Sequence, residues 1–306
     1  MSAGITDCLW PSRPKPKPDE SLCSWLARLS AANGISWRTF CSIIGGSHTA
    51  RYGASDLAPH PRALEILARR TGTDYASIES LSIARYMPLF SQGRTRMWFN
   101  RANADPEYDF TRQFCRECID EAGYCRRQWR FPFIAVCDRH DCALEFYCER
   151  CFHDRLGMPF SKLTHSVRCS PCQFSRREIT GRALSEAISC QSKLLALLDA
   201  SFTSSGEHDR IHAVFRGLQF LLENEVTERG RGGRIVKMSA KSRFEMLGPR
   251  SRYRMLVPVA RLFSSYYDEI IDLCIRIGRI LLECVGMARL RGPLSCYAEL
   301  TRCAEA

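Results

Sequence analysis

The sequence predicts a mostly helical protein with a small central module of the zinc-ribbon or treble-clef type. Apolar residues recur at helical spacing in the N-terminal third and again after residue 180, and Cys and His doublets of metal-ligand spacing lie between these two parts. We therefore expect four segments: an extended proline-rich arm at 1–18, a helix-turn-helix-like domain at 19–110, a tandem zinc-finger module at 111–180 and a helical C-terminal region at 181–306.

The helical domain begins where the proline-rich arm ends. The run from Asp19 places apolar residues on one helical face and stops at Asn33-Gly34, because Asn and Gly favour the turn that ends a helix. Ser36 can cap a second helix, which Gly45-Gly46 ends. The apolar face of the first helix predicts the core of this domain: Leu22, Trp25, Leu26 and Leu29.

A later pair of helices has the helix-turn-helix pattern. Residues 61–70 and 75–81 show helical periodicity, and Gly72 supplies the turn between them. A helix that reads DNA carries hydrogen-bond donors near its start, but this second helix offers Asp74 and Glu79 and no basic residue. Since acidic side chains repel phosphate, we favour protein contact over DNA reading at this surface.

Four doublets of metal-type ligands define the central module. Each has two intervening residues, a spacing that turns both side chains toward one tetrahedral Zn²⁺. Pairing them in sequence gives two structural Zn²⁺ sites with no open position, so we expect no zinc chemistry and no catalytic residue. The first site comprises Cys115, Cys118, Cys137 and His140, and the second comprises Cys148, Cys151, Cys169 and Cys172.

Interleaved pairing, as in the RING domains of ubiquitin ligases, is the rival arrangement. It joins the first doublet to the third and the second to the fourth, and the order of ligand types fits it. A RING has a short connector at this point, whereas seven residues separate His140 from Cys148. We therefore favour sequential pairing. Four nearby potential ligands belong to no doublet and are expected to be ordinary loop or partly buried residues: Cys125, Cys142, His153 and His165.

The C-terminal region combines helical patterns with most of the excess positive charge. Residues 184–198, 212–222 and 268–284 look helical, and the segment 229–261 carries ten basic residues and one acidic residue. This segment could contact nucleic acid or an acidic protein surface, or could be a solvated loop. The candidate contact residues are Arg231, Arg234, Lys237, Lys241, Arg243, Arg250, Arg252, Tyr253 and Arg254.

The remaining composition predicts an intracellular protein without a membrane span. Residues 1–18 lack the apolar core of a signal peptide, and no run of eighteen apolar residues occurs. Of the 17 cysteines, those outside the doublets are scattered singly, which is not the pattern of a disulfide scaffold. We therefore expect a reducing cytoplasm.

Two stretches of the sequence resemble a known family. Pro18-Asp-Glu-Ser-Leu-Cys-Ser-Trp25-Leu-Ala-Arg28-Leu, followed by Asn33-Gly34-Ile-Ser and Phe40, resembles the N-terminal signature of TniQ/TnsD proteins of bacterial transposons. The zinc region follows the order of the same family, with Tyr124, Trp129 and Leu144 among its doublets. The resemblance covers residues 14–180. Family knuckles often carry Gly after the His, where this chain has Asp141.

The resemblance implies a role in selecting the target of bacterial DNA transposition, without catalysis. TniQ-like proteins act as adaptors that join a target-recognition device to the AAA+ regulator, which recruits the transposase. In some transposons the protein itself binds the target DNA, and in others an RNA-guided complex recognises the target. The alternatives are an autonomous zinc-finger DNA-binding protein and, behind it, a RING-type ubiquitin ligase. A bacterial cytoplasmic location follows from the resemblance, and a homodimer is the default assembly.

Overall fold

The computed structural model describes eight ranges of the chain. These are residues 9–45, 54–92, 95–96, 113–145, 182–224, 227–229, 235–237 and 249–291. Within them the chain is mostly helical, as the sequence predicts, and the strands form two-stranded antiparallel hairpins. The described elements divide into two compact units. None of the described helices is both long and apolar enough to cross a bilayer.

The described N-terminal part of the first unit contains five α-helices. They are α1 (Leu22–Ala32), α2 (Trp37–Ile44), α3 (Ala54–Leu57), α4 (Pro61–Thr71) and α5 (Tyr75–Glu79). The first helix begins later than the sequence predicts, because Asp19 adopts a left-handed φ of 56° and Ser21 is the N-cap. The Ser36 hydroxyl accepts from the Thr39 amide and caps α2, as predicted.

The core of these helices is the predicted apolar face of α1 with its partners. Trp25 and Leu29 are fully buried, and each such side chain contributes on the order of 1.5–3 kcal/mol on burial. Gly72 follows α4 with a left-handed φ of 69° and turns the chain into α5. The cluster comprises Leu22, Trp25, Leu26, Leu29, Phe40, Ile44, Leu64, Leu67, Ile78 and Leu81.

The described part of the proline-rich arm lies against these helices. The Trp10 amide donates to the Arg70 carbonyl at 2.8 Å, and the Trp10 ring lies 5.2 Å from that of Phe40. The Trp25 indole N–H donates to the Pro14 carbonyl at 2.8 Å. The Ser12 amide also donates to the Asn33 side-chain oxygen at 3.2 Å, so the arm is held by single hydrogen bonds and by Trp10, while its prolines provide no amide donor.

The metal-ligand region completes the first unit. It contains α6 (Arg116–Ala122) and the hairpin of β3 (Val136–Cys137) and β4 (Cys142–Ala143). The hairpin pairs Val136 with Ala143 and Cys137 with Cys142. A 3₁₀ turn at Arg127–Arg130 lies in the connection between α6 and β3.

The second unit is built from long helices. Its elements are the hairpins β1 (Ser91–Gln92) with β2 (Thr95–Arg96) and β5 (Thr227–Arg229) with β6 (Ile235–Lys237), and the helices α7 (Arg182–Ala200), α8 (Ser205–Asn224), α9 (Pro249–Ser265) and α10 (Tyr267–Arg291). The first residues of α9 belong to the first unit. The three predicted C-terminal helices lie within α7, α8 and α10. The basic segment contains the last residue of β5, all of β6 and most of α9.

Two glycines let α8 and α10 cross closely. A Cβ on Gly217 would collide with the backbone of Cys274, and a Cβ on Gly278 would collide with the backbone of Ala213. The contacts run in opposite directions along the two helices, so the helices are antiparallel. Glycine is therefore required at this crossing for space rather than for backbone conformation.

Candidate metal centre

The first two doublets converge on one point in the first unit. The ligand atoms of Cys115, Cys118, Cys137 and His140 all lie within 4.8 Å of one another. Cys115 is the N-cap residue of α6, and Cys118 lies on that helix. Cys137 ends β3, and His140 lies in the turn that leads to β4. These four side chains could hold a metal ion.

The distances within this group fit the edges of a zinc tetrahedron. Zn–S bonds of about 2.3 Å and Zn–N bonds of about 2.0–2.1 Å give edges of about 3.8 Å between sulfurs and about 3.6 Å between sulfur and nitrogen. The Cys118 and Cys137 sulfurs are 3.6 Å apart. His140 Nδ1 lies 3.5 Å from the Cys115 sulfur, 3.3 Å from that of Cys118 and 3.7 Å from that of Cys137.

The grouping bears on how the doublets pair. Cys115 and Cys118 meet Cys137 and His140, as sequential pairing requires, whereas a RING would join the first doublet to Cys148 and Cys151. The second predicted site, with Cys148, Cys151, Cys169 and Cys172, lies outside the described residues, as do His153 and His165. The second Zn²⁺ stays a prediction.

The turn after His140 contains Asp141, at the position where the proteins that this sequence resembles often have glycine. Asp141 adopts a left-handed φ of 45°, a region that Asp tolerates better than most residues other than glycine. Asp138, the residue after Cys137, accepts from the Arg126 guanidinium at 2.6 Å. The two aspartates therefore shape the knuckle and fasten it.

A carboxylate behind His140 orients its ring. The His140 Nε2 lies 3.0 Å from a Glu121 carboxylate oxygen, so Nε2–H donates to Glu121 and Nδ1 is left to face the sulfurs. Carboxylate partners of this kind fix the tautomer of metal-binding histidines. Burial by itself lowers the pKa of His140, but the hydrogen bonds to Glu121 and Cys137 raise it to about 9 in the metal-free protein.

The thiols are poised unequally for metal binding. Hydrogen bonds with Cys115 and Cys118 lower the pKa of Cys137, and a lowered pKa favours the thiolate that a metal requires. A metal ion bound by these residues would displace the remaining thiol protons and the proton on His140 Nδ1. Affinity must therefore fall as the pH falls.

The connection between the two doublets packs into the N-terminal helices. The Ser21 amide donates to the Cys125 carbonyl at 2.9 Å, and the Cys125 amide donates to the Ser24 hydroxyl at 3.0 Å. Arg126 pairs with Asp19 at 2.8 Å. The metal-ligand region and α1 therefore share one hydrogen-bonded body.

A buried ion pair strengthens this body. Arg130 lies 2.5 Å from a carboxylate oxygen of Asp56, and both side chains are almost fully buried, with 6% and 1% of their surface exposed. The other Asp56 oxygen accepts from the Cys23 amide at 2.8 Å. Removing one partner of such a pair costs about 3–5 kcal/mol, because the other charge stays buried without compensation.

The predicted contact residues of the basic segment fall into two groups. Arg231, Arg234, Lys241 and Arg243 lie outside the described residues. Lys237 ends β6, and Arg250, Arg252 and Arg254 lie in the first turns of α9. Tyr253 is half-buried, and burial raises its pKa. Their role in binding stays a prediction.

Among the described residues, the structure places a cysteine beside the first metal centre that the doublet pattern does not identify. The Cys142 sulfur lies 3.5 Å from that of Cys115, although Cys142 belongs to no doublet. Its position could have been read from the hairpin, since β4 pairs Cys142 directly with Cys137. Cys125 lies apart from the metal group and is buried.

A comparison with curated proteins finds no match. The family model described as TniQ matches residues 11–144, which span the arm, α1 to α6 and the first two doublets. A TniQ domain implies a transposition-associated role in target selection, and the family is known as a non-catalytic accessory of transposition. Residues 11–144 of this chain therefore form a TniQ domain.

Proposed function

We propose that this protein is a non-catalytic target-selection adaptor in bacterial DNA transposition. It links a target-recognition factor, which binds DNA or is an RNA-guided complex, to the AAA+ regulator, or it binds the target DNA directly. The observation that carries the proposal is the TniQ match, which spans both the N-terminal helices and the first two doublets. These two parts are connected by the ion pairs of Asp19 and Asp56 and by the hydrogen bond of the Ser21 amide. A rigid connection of this kind suits a protein that bridges other molecules.

The donor set of the metal centre supports a structural role. Three thiols and one imidazole fill all four positions of a tetrahedral Zn²⁺, which leaves no site at which water is activated. The ion holds α6 against the β3–β4 hairpin, and Arg126 and Arg130 transmit that order to the N-terminal helices. With the second predicted site, the chain carries two structural Zn²⁺.

The surface at α5 favours a protein partner over DNA. The Asp74 carboxylate accepts from the Ser77 amide at 3.0 Å and caps α5, so this acidic side chain is fixed at the helix start. Glu79 is exposed at the other end of the helix. Phosphate approaching this helix meets negative charge. The basic segment remains the candidate surface for DNA or for an acidic partner.

The function is tested by co-purification. We expect the tagged full chain to retain the AAA+ ATPase and the targeting factor of its own transposon when the proteins are expressed together. Retention of neither protein, together with tight binding to a defined duplex, would favour the autonomous DNA-binding alternative.

Direct DNA contact is tested on the basic segment. If this segment binds DNA, Arg250→Gln, Arg252→Gln and Arg254→Gln together reduce the salt dependence of affinity for random duplex, because each phosphate contact contributes a slope of about 0.9. A matched triple variant in the second unit, with Arg210→Gln, Arg276→Gln and Arg279→Gln, should keep the slope. Equal slopes in both variants would assign the DNA contact elsewhere.

A further inference from the structure

Cys115 has a second set of neighbours beside the first metal centre. The Cys142 sulfur lies 3.5 Å from that of Cys115, and a Glu117 carboxylate oxygen lies 3.2 Å from the same sulfur. The third distance, between Cys142 and Glu117, is 3.9 Å. These three residues form their own group of ligand atoms within 4.8 Å, distinct from the group that contains His140.

The secondary structure separates the two groups. Glu117 and Cys118 are consecutive on α6 and therefore diverge by about 100° around its axis, so Cys118 serves the first centre and Glu117 the other side of Cys115. Cys142 lies across the hairpin from Cys137. Each element thus supplies one sulfur to the first centre and one further ligand beside it, and Cys115 stands between them.

The distances have the size of tetrahedral edges. With Zn–S bonds of about 2.3 Å and Zn–O bonds of about 2.0–2.2 Å, the edges are about 3.8 Å between sulfurs and about 3.6 Å between sulfur and oxygen. The observed separations of 3.5, 3.2 and 3.9 Å scatter around these values. Two thiolates and one carboxylate suit a thiophilic divalent ion and are a poor set for Mg²⁺ or Ca²⁺.

Charge supports the same assignment. When the first centre holds Zn²⁺, its three thiolates outweigh the charge of the ion, and Glu117 places a carboxylate 3.2 Å from one of those sulfurs. A second divalent cation would offset this excess of negative charge. We propose that Cys115, Glu117 and Cys142 form a cation position for Zn²⁺ or Cd²⁺, with the Cys115 thiolate as a bridge to the first centre. We call it the second position; it is separate from the predicted site that contains Cys148 and Cys151.

The fourth position of this second ion belongs to water or to a ligand from outside the chain. Cys115 and Cys142 are buried, while Glu117 is exposed, so the ion enters and leaves past Glu117. The second position is therefore the weaker of the two. Its existence depends on the first centre holding metal, and the experiment is chosen to separate these two failures.

The test counts bound zinc in the full chain. Cys148→Ser with Cys151→Ser removes the contribution of the other predicted site, and we expect two zinc equivalents in this background. Adding Cys142→Ala should leave one equivalent. The matched control is Cys125→Ala, a buried thiol outside both metal groups, which should keep both equivalents. One equivalent before and after Cys142→Ala would overturn the second position and leave the first intact, whereas none in either would overturn both.

If Cys142→Ala loses both zinc equivalents, Glu117→Gln tests the second position without removing a buried side chain. Glu117 is exposed, so its substitution should leave the fold intact. We expect the weaker zinc equivalent to bind at least about tenfold less tightly, since loss of an outer-shell partner alone has an effect of that size, with the tighter one unchanged. Titration curves identical to those of the unsubstituted chain would overturn the proposal. ¹¹³Cd NMR in the Cys148→Ser, Cys151→Ser background offers an independent readout. A shared thiolate predicts two mutually coupled cadmium resonances, whereas a hydrogen bond from Cys142 to Cys115 predicts one.

Discussion

Each of the two units of this protein is stabilised internally by a different kind of interaction. In the first, α1 and the metal centre are joined by directional polar contacts: Arg126 with Asp19, Arg130 with Asp56, and a candidate metal ion between two doublets. In the second, α8 and α10 approach until glycine is the only residue that fits. The stability of the first unit therefore depends on the charges of its ion pairs and on bound metal, whereas that of the second unit depends on the size of the side chains where α8 and α10 cross. The units should therefore fail under different perturbations.

Loss of the first metal should have the largest effect on the first unit. Cys118→Ser removes one of four ligands, and structural zinc supplies on the order of 10–16 kcal/mol of apparent folding free energy in small modules. We expect rapid proteolysis within residues 113–145, read by mass spectrometry of the fragments. Cys190→Ala in the second unit is the control and should leave the cleavage pattern unchanged. Equal resistance in both variants would contradict a structural metal.

Breaking the buried ion pair should come next. Arg130→Gln leaves the Asp56 carboxylate buried without its cation and should destabilise the first unit by about 3–5 kcal/mol. Urea unfolding followed by the fluorescence of the buried Trp25 and Trp129 measures the change. Arg139→Gln, at an exposed position of the knuckle, should shift the midpoint little.

Closing the space at the helix crossing should affect the second unit. Gly217→Ala forces a Cβ into the backbone of Cys274 and should cost about 1–3 kcal/mol as overpacking. The matched control is Gly206→Ala on the same helix, where the added Cβ meets nothing within 4 Å. That change should be neutral or stabilising by up to about 1 kcal/mol. Equal melting temperatures for the two variants would argue against the close crossing.

The smallest effect is expected for Glu121, the carboxylate that accepts a hydrogen bond from the metal ligand His140. Glu121→Gln keeps the shape of the side chain but weakens the hydrogen bond that orients His140, and should lower zinc affinity by about tenfold. Competition with a chromophoric chelator measures it. Asp120→Asn, the exposed neighbour on α6, should bind zinc like the unsubstituted chain. If both substitutions weaken zinc equally, the effect is general charge rather than orientation.

Local patterns were readable from the sequence, and contacts between distant residues were not. Ser36 and Gly72 act as predicted, because capping and left-handed turns depend on a few neighbouring residues. Doublet spacing likewise grouped Cys115 with Cys118. The pairing of Arg130 with Asp56 spans 74 positions, and no local rule selects one arginine among 44 basic residues.

Two further features show where sequence patterns lead to incomplete predictions. Cys142 does not have doublet spacing, so its place beside Cys115 depends on the hairpin register, which only the folded chain fixes. Gly217 lies within a helical pattern, where an isolated glycine indicates only a loss of helix propensity. Its use as space for α10 becomes visible only when the second helix is in place.

Hydrogen exchange with and without metal tests the central claim most directly. If the metal centre and the N-terminal helices form one body, removing metal from the full chain should speed amide exchange in residues 113–145 and also in α1, while α8 and α10 keep their protection. Faster exchange confined to residues 113–145, or no change anywhere, would contradict a metal centre that fixes the TniQ domain as a rigid joint.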